Sequence, residues 1–318
     1  MHKEGERYLS KILVVGSLNM DFVIDVENMP KAGETILGKG VSLVPGGKGA
    51  NQAYAVGKLG GDVAMIGAVG KDVYGDKLID NLKSVGVNVE GIERLDDAVT
   101  GNAFITVDEK GENSITVIQG ANAVLNTEII DKHIDLIKEC KVVIMQLEIP
   151  LEVVSYVKTV AKCYGKKVIL DPAPAKSDLP EGFLSGFDIV KPNETELQTL
   201  LSEKLDTTEE LTDGAKRLRS KGIETVIVTL GGDGSLLVTE DGSELFEAQK
   251  VKAVDTTAAG DSFTAAFALQ MVSGYSYEES IRFGNRVSAI AVTRKGAQTS
   301  IPTMEEVKEL FYDGGKND

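Results

Sequence analysis

The feature that most constrains this chain is a rhythm. "KILVVGS", residues 11–17, is a continuous run of β-forming residues ending in glycine and serine, the mark of a strand buried on both faces. "VAMIGAVG", "VVIMQLEIP", "KKVILDPAP", "DIVKPNE" and "ETVIVTLGG" repeat it. Between these runs lie segments of helical character at 50–59, 74–85, 127–140, 151–164 and 208–221. Strands alternating with helices of this length predict an α/β fold: a central, mostly parallel sheet with helices on both faces, a Rossmann-like arrangement. Right-handed crossovers then gather the C-terminal strand ends along one edge, where ligands bind in such sheets.

Two segments break the rhythm. Residues 22–44 and 101–118 ("GNAFITVDEKGENSITVI") alternate like hairpin strands, with Gly and Asn at the turns, and have no helices to cover them. They predict a small β-sheet standing over the ligand edge as a lid. The chain then divides into an α/β core of 1–18, 45–98 and 120–318 and a lid of 19–44 and 99–119. From position 260 onward the pattern is mainly helical.

Composition narrows the chemistry. A chain of 318 residues, 42% of them hydrophobic, can build one large core. The net charge of −15 argues against a nucleic-acid partner, which needs a basic face, but leaves room for a small polyanion at a locally positive site. No apolar run approaches the ~20 residues of a membrane span, and "MHKEGERYLSK" lacks a signal-peptide core, so a cytoplasmic protein without membrane contact is expected. Cys140 and Cys163 are too few for a zinc ribbon or a disulfide framework. His2 lies in the opening segment, and His133 reads as a solvated position on a polar helix. Ser-His and Cys-His dyads drop out, leaving a carboxylate or lysine as general base.

Several strand ends carry polar or glycine-rich residues. Gly46, Gly47, Lys48 and Gly49 run into a helix without the spacing of a phosphate-binding P-loop, and Asn51 sits on its first turn. The glycines serve either a plain tight turn or a close approach of backbone to ligand. Asn19 and Asp21 project to one side of an extended segment and suit sugar hydroxyls, or organise a turn. Glu148 ends a buried strand, Asn193 and Glu196 open a helix, and Thr229 precedes the turn Gly231, Gly232, Asp233, Gly234. In "DTTAAGDSF", Ala258, Ala259 and Gly260 lead into a helix with their N–H groups unpaired, an anion hole for developing phosphate charge. Asp261 at its mouth is either a helix N-cap or a base for an alcohol attacking that phosphate.

Over nearly the whole chain, residues 11–311, the sequence resembles the ribokinase-like (PfkB) carbohydrate kinases. The resemblance rests on "GSLNMD", "PGGKGANQA", "MQLEIP", "DPAPA", "PNETE", "VTLGGDGS", "VDTTAAGDSF" and "AVTRKGAQTSIP". It implies transfer of phosphate from ATP with Mg2+ to the 5-hydroxyl of D-ribose, giving ribose 5-phosphate and ADP. Asp261 would be the base and Ala258–Gly260 the anion hole. Asn19, Asp21, Gly46, Gly47, Lys48, Asn51 and Glu148 would hold the sugar. Asn193, Thr229, Gly231, Gly232, Asp233, Gly234, Gly260 and Asn285 would contact nucleotide, with Glu196 near magnesium. Asp255, Thr257, Ala291, Arg294, Gly296 and Ser300 match a monovalent-cation site for potassium, mostly through carbonyls, and a homodimer through the lid is implied.

Where many members have Gly-Ala-Gly-Asp, this chain has Ala at 258, a methyl expected to hold that backbone at negative φ. Fructose-, deoxyribose- and adenosine-type kinases share the scaffold. An adenosine site would want aromatic lid residues, of which Phe22 and Phe104 are the candidates. A silent sugar-binding protein would not need Asp261 and its anion-hole sequence. A dehydrogenase would need a dinucleotide fingerprint that is absent after the first strand.

Overall fold

A computed structural model describes residues 12–311. Strand β1 (Ile12–Val15) is apolar and fully buried. β2 (Asn19–Asp25) and β3 (Gly40–Gly46) leave the large sheet, and α1 (Lys48–Lys58) returns to it. Then follow β4 (Val63–Gly70), α2 (Val73–Ser84), β5 (Asn88–Leu95), β6 (Gly101–Val107) and β7 (Asn113–Ile118). The central part runs α3 (Thr127–Lys132), α4 (Ile134–Glu139), β8 (Val142–Met145), α5 (Leu151–Cys163), β9 (Lys167–Leu170) and β10 (Ile189–Val190). It continues through α6 (Glu194–Leu201), α7 (Thr208–Arg219), β11 (Thr225–Thr229), β12 (Ser235–Val238) and β13 (Ser243–Phe246). Helices α8 (Ala259–Val272), α9 (Tyr277–Ala291) and α10 (Met304–Phe311) close the described chain.

The large sheet has nine strands in the order β13-β12-β11-β10-β9-β8-β1-β4-β5, with β12 alone running against the others, so that its pairings with β11 and β13 are antiparallel. Alternation along β1 explains its burial. Ile12 and Val14 belong to the core layer shared with α1, α2 and α8, while Leu13 and Val15 belong to the layer on the other face, which runs on to α3, α5, α6 and α7. From β1 the chain adds β4 and β5 on one side and later β8 to β11 on the other. The direction of winding therefore reverses between β1 and β8, and a crevice opens at their C-terminal ends.

The lid is a four-stranded sheet in the order β3-β2-β6-β7. Its central pair, β2 with β6, is parallel, while β2–β3 and β6–β7 are antiparallel. Two hairpins alone would not predict this: the first has a long connection, residues 26–39, and the parallel pair joins segments far apart in sequence.

Three expectations change. The helix expected over 127–140 breaks at His133, whose φ of −112° and ψ of 22° are not helical. Half-buried there, His133 Nε2 lies 3.1 Å from Glu93 Oε1 on β5, so it ties down an edge strand and is not a free solvated side chain. β10 shrinks to two residues, because Lys191-Pro192 follows and proline offers no ladder donor. β5, β12 and β13 escape the apolar-run reading; β5 is an edge strand carrying Glu90, Glu93 and Arg94. Residue 11 of the first expected strand, and His2, lie outside the described residues.

Candidate active site

The crevice is built first by close backbone contacts. Gly47 precedes α1 with φ of 86°, a conformation that glycine adopts without strain. A Cβ on Gly49 would lie 2.6 Å from Ser17 N and 2.7 Å from Gly16 C, so α1 starts in direct contact with the backbone leaving β1. Ala50 N–H donates to the Ser17 carbonyl at 2.9 Å, and Lys48 N–H to Glu148 Oε2 at 3.0 Å. The Ser17 hydroxyl donates to the same Glu148 oxygen. Thus the segments after β1 and β8 and the start of α1 meet on one carboxylate.

Asn19 and Asp21 extend from this point along β2. Asn19 is buried, its Oδ1 accepting from Asn122 Nδ2 at 2.8 Å, and Asn122 Oδ1 accepts from Leu18 N–H at 2.9 Å. Asp21 fills the space that Gly46 leaves: a Cβ there would sit 2.1 Å from Asp21 Oδ2. Burial, and then the nearby charge of Glu148, push the Asp21 carboxyl up to about 7. Burial tends to lower Lys48, but Asp261, Asp171, Glu148 and Glu196 around it prevail and hold its ammonium above the ordinary lysine value. Lys48 therefore stands among four carboxylates.

Asp261 is buried at the third position of α8. It caps nothing: the N-cap is Ala258, and no side chain caps that terminus. Its Oδ2 accepts from Asn51 Nδ2 at 2.9 Å and its Oδ1 from Gln52 Nε2 at 3.0 Å. Burial raises its carboxyl pKa and Asp171 adds to the rise, against the pull of Lys48 and the two amides.

The segment expected to form an anion hole departs from that expectation in two ways. Ala258 has φ of 59° and ψ of 11°, left-handed and not negative. A methyl there costs about 1–2 kcal/mol. The turn is held by Ser262, whose N–H and Oγ both donate to the Ala258 carbonyl at 2.8 Å, and by Ser288 Oγ donating to the Ala259 carbonyl at 2.6 Å. Tertiary bonds override the local preference. Ala259 N–H is also not free, since it donates to the Thr256 carbonyl at 3.2 Å. The N–H groups of Ala258, Gly260 and Asp261 have no acceptor among the described residues.

On the neighbouring strand ends, Asn193 and Glu196 form a capping box at the start of α6. Asn193 Oδ1 accepts from Glu196 N–H, and Glu196 Oε2 from Asn193 N–H, both at 2.8 Å. Burial and Asp171 raise the Glu196 carboxyl pKa. Thr229 pairs with Asn193 in an isolated bridge, and Gly231–Asp233 form a 3₁₀ turn ending at Gly234. Asn285 is buried on α9, its Oδ1 accepting from Ser235 Oγ at 2.7 Å and its Nδ2 donating to the Phe246 carbonyl at 3.3 Å.

Behind the anion hole, Asp255 Oδ1 accepts from Thr257 N–H at 2.9 Å and Thr257 Oγ1 at 2.6 Å, and its Oδ2 from Gly296 N–H at 2.9 Å. Burial opposes these bonds, but they hold the carboxyl below its ordinary pKa. Asp255 N–H donates to the Val292 carbonyl at 3.2 Å, which joins the loop before α8 to the loop after α9. The Ala291 carbonyl accepts from Arg294 N–H at 3.0 Å, the Arg294 guanidinium pairs with Glu306, and Ser300 Oγ donates to the Ala297 carbonyl at 2.7 Å. Two wide depressions elsewhere, about 630 Å³ beside Glu224 and Thr225 and about 820 Å³ beside Asp62 and Val63, open by the N-terminal strand ends, opposite this crevice.

Residues 9–304 match the model of the pfkB family carbohydrate kinases. The chain belongs to this family. This carbohydrate kinase is similar to the ribokinase of Haemophilus influenzae, 40% identical over 94% of this chain and 98% of that one. It is also similar to the deoxyribokinase of Salmonella typhi, 38% identical over 94% and 98%. Among solved structures it is similar to Arabidopsis thaliana ribokinase complexed with ribose and ATP, with a TM-score of 0.89, 33% identity and coverage of 95% and 99%.

The kinase also gathers residues that motif reading passes over. Asp171, directly after β9, is buried and accepts from Gln52 Nε2 at 2.9 Å. Lys191, directly after β10, is buried with Nζ 3.5 Å from Asp171 Oδ2. A Cβ on Gly260 would lie 3.6 Å from that ammonium, so Lys191 borders the anion hole. Both carry one legible signal: a charged residue immediately following a buried apolar strand.

Proposed function

We propose that this carbohydrate kinase transfers the γ-phosphoryl group of ATP to the 5-hydroxyl of D-ribose. The observation that carries the reading is a buried carboxylate, Asp261, at a helix start whose Gly260 and Asp261 N–H groups are free. The hydroxyl proton passes to Asp261, the hydroxyl oxygen bonds to the γ-phosphorus, and the bond to the β-phosphate oxygen breaks to release ADP. Charge on the transferring group meets the free N–H groups, the positive end of α8 and Lys191.

Asn19, Asp21, Gly46, Gly47, Lys48, Asn51 and Glu148 supply a hydrogen-bonding cage suited to ribose. Base stacking in the lid has little support. Phe22 and Phe104 stack on each other with ring centroids 5.0 Å apart, as a cross-strand pair one residue removed from Asp21 and Ala103, and so on the opposite sheet face. Asn193, Thr229, Gly231–Gly234 and Asn285 serve the nucleotide along the neighbouring strand ends. Magnesium arriving with ATP would neutralise phosphate charge, and Glu196 is the carboxylate suited to hold it. For potassium, the Asp255 carboxylate and the carbonyls of Thr257, Ala291, Arg294, Gly296 and Ser300 form an all-oxygen set, as a hard cation requires.

A homodimer through the lid is supported by β7, which is exposed along its whole length although Ile115, Val117 and Ile118 are apolar. No helix among the described residues is long and apolar enough to cross a membrane. Use of ATP supports a cytoplasmic setting. Deoxyribose is the second acceptor to weigh, given the deoxyribokinase relative. The test is ADP release with ribose, deoxyribose, fructose and adenosine. Highest kcat/KM on ribose is expected; equal efficiency on adenosine would remove the ribose assignment.

A further inference from the structure

Asp261 is gripped by two consecutive side chains of α1, and the second, Gln52, belongs to neither the sugar cage nor the anion hole. It has no exposed surface, and its Nε2 lies 2.9 Å from Asp171 Oδ2 and 3.0 Å from Asp261 Oδ1. Two carboxylates decide which way that amide faces, because an oxygen turned toward them would meet two negative groups. Gln52 Oε1 therefore points away, where it accepts from Gln146 Nε2 at 2.6 Å. Gln146 is oriented in turn, and its own Oε1 is left buried without a partner. That oxygen occupies the space Gly16 leaves free: a Cβ on Gly16 would sit 2.1 Å from it. An orphaned buried acceptor lowers stability, and an apolar side chain at 146 would remove it. The chain keeps the amide.

We infer that Gln52 is a positioning residue for phosphoryl transfer, held in its working orientation by Gln146, and that the pair locks the plane of the Asp261 carboxylate. The inference rests on the reading of Asp261 as the base. Asn51 holds one carboxylate oxygen and Gln52 the other, so rotation of the group breaks at least one bond. Gln298 Nε2 donates to Asn51 Oδ1 at 3.0 Å and orients Asn51 as Gln146 orients Gln52. Each Asp261 oxygen keeps a lone pair for an incoming hydroxyl. The charged groups facing this assembly are Lys48, Asp171 and, beyond Asp171, Lys191. Gln52 thus donates between two negative groups that would otherwise repel across the site.

The experiment is steady-state kinetics across pH for the full chain, Gln52→Leu and Gln146→Met, using whichever sugar the wild type turns over best, with sugar binding measured by calorimetry. Gln52→Leu is expected to lower kcat about 10–100-fold, as for a misaligned catalytic group, with sugar affinity nearly unchanged. Its acidic limb should move to higher pH, because losing an N–H donor disfavours the ionised carboxylate. Gln146→Met should shift both readouts the same way by less. In an Asp261→Asn background, Gln52→Leu should cost no further kcat. Wild-type kcat and pH profile in Gln52→Leu, or a full additional loss in that background, would overturn the inference. If Gln52→Leu does not fold, Gln146→Met decides by the same pH displacement. Failure of the wild type on ribose would sink the acceptor assignment and leave this test standing.

Discussion

The Asp261 carboxylate and the Asn51 amide meet at 2.9 Å across a separation of 210 residues. The first turn of α1 and the first turn of α8 are thereby joined, so the proposed base and the proposed sugar cage form one unit. A substitution at either end tests both.

Asp261→Asn should cut turnover sharply and lose one of the two bonds that hold the group, because its NH2 must face the NH2 of Asn51 or Gln52. The amide is nearly isosteric and can still bond a sugar hydroxyl, but it cannot take the proton. A loss of about 10²–10⁴-fold in kcat is expected, with sugar and ATP affinity close to wild type by calorimetry. In the unaltered protein, activity should fall as pH drops, because burial raises the Asp261 pKa and only the ionised form accepts the proton.

Asp21→Asn separates stability from binding. The free protein carries this carboxyl at about 7 instead of 3.8, so its charge destabilises the fold above pH 7. The cost is relieved as pH falls through 7 and disappears below 3.8. The variant should therefore melt on the order of 2 °C higher at about pH 8, keep part of that gain near pH 5 and lose it below 3.8. Its KM for sugar should rise, since an amide offers one acceptor where a carboxylate offers two. An unchanged melting difference across pH would count against the shifted carboxyl.

Two glycines three residues apart should fail differently. A Cβ on Gly46 meets the tip of Asp21, which can swing away, whereas a Cβ on Gly49 meets backbone of Gly16 and Ser17, which cannot. Gly46→Ala should fold normally and raise the sugar KM about tenfold or more through the displaced carboxylate. Gly49→Ala should lose about 1–3 kcal/mol of stability. Denaturation and kinetics on the two variants give the comparison.

Potassium should activate the kinase through the loops around Asp255. Turnover in sodium-only or tetramethylammonium buffer is expected to be low and to recover as potassium is titrated back. Asp255→Ala should abolish the recovery and lower kcat more than it raises KM, because Asp255 fastens the loop before α8 to Gly296. Equal turnover in every buffer would show that this carboxylate serves only the loops.

Much of this was legible because a parallel sheet buries both faces and leaves apolar runs such as "ILVV" and "VVIM". Edge strands such as β5, with one face in water, leave no such run. The parallel pairing of β2 with β6 could not be read from local patterns, since it is a contact between distant segments. Within the site, Asp261 was legible from the small residues before an apolar helix. Gln52 was not, and Asp171 and Lys191 showed only as charges after apolar strands, because the partners of all three lie at distances across the sheet. Ala258 shows the converse, a local rule overruled by serine bonds from α8 and α9.

The contact of Gly49 with the backbone leaving β1 bears on how such a scaffold changes its substrate. The reacting geometry is inherited from main chain lying on main chain, the part of a protein that substitution alters least. Of the proposed sugar contacts, Asn19 and Asp21 hang from lid strand β2, whose side chains can be rewritten one at a time. New acceptors can therefore be acquired without rebuilding the phosphoryl-transfer machinery, and relatives with different sugars in their names can share this architecture at 38–40% identity.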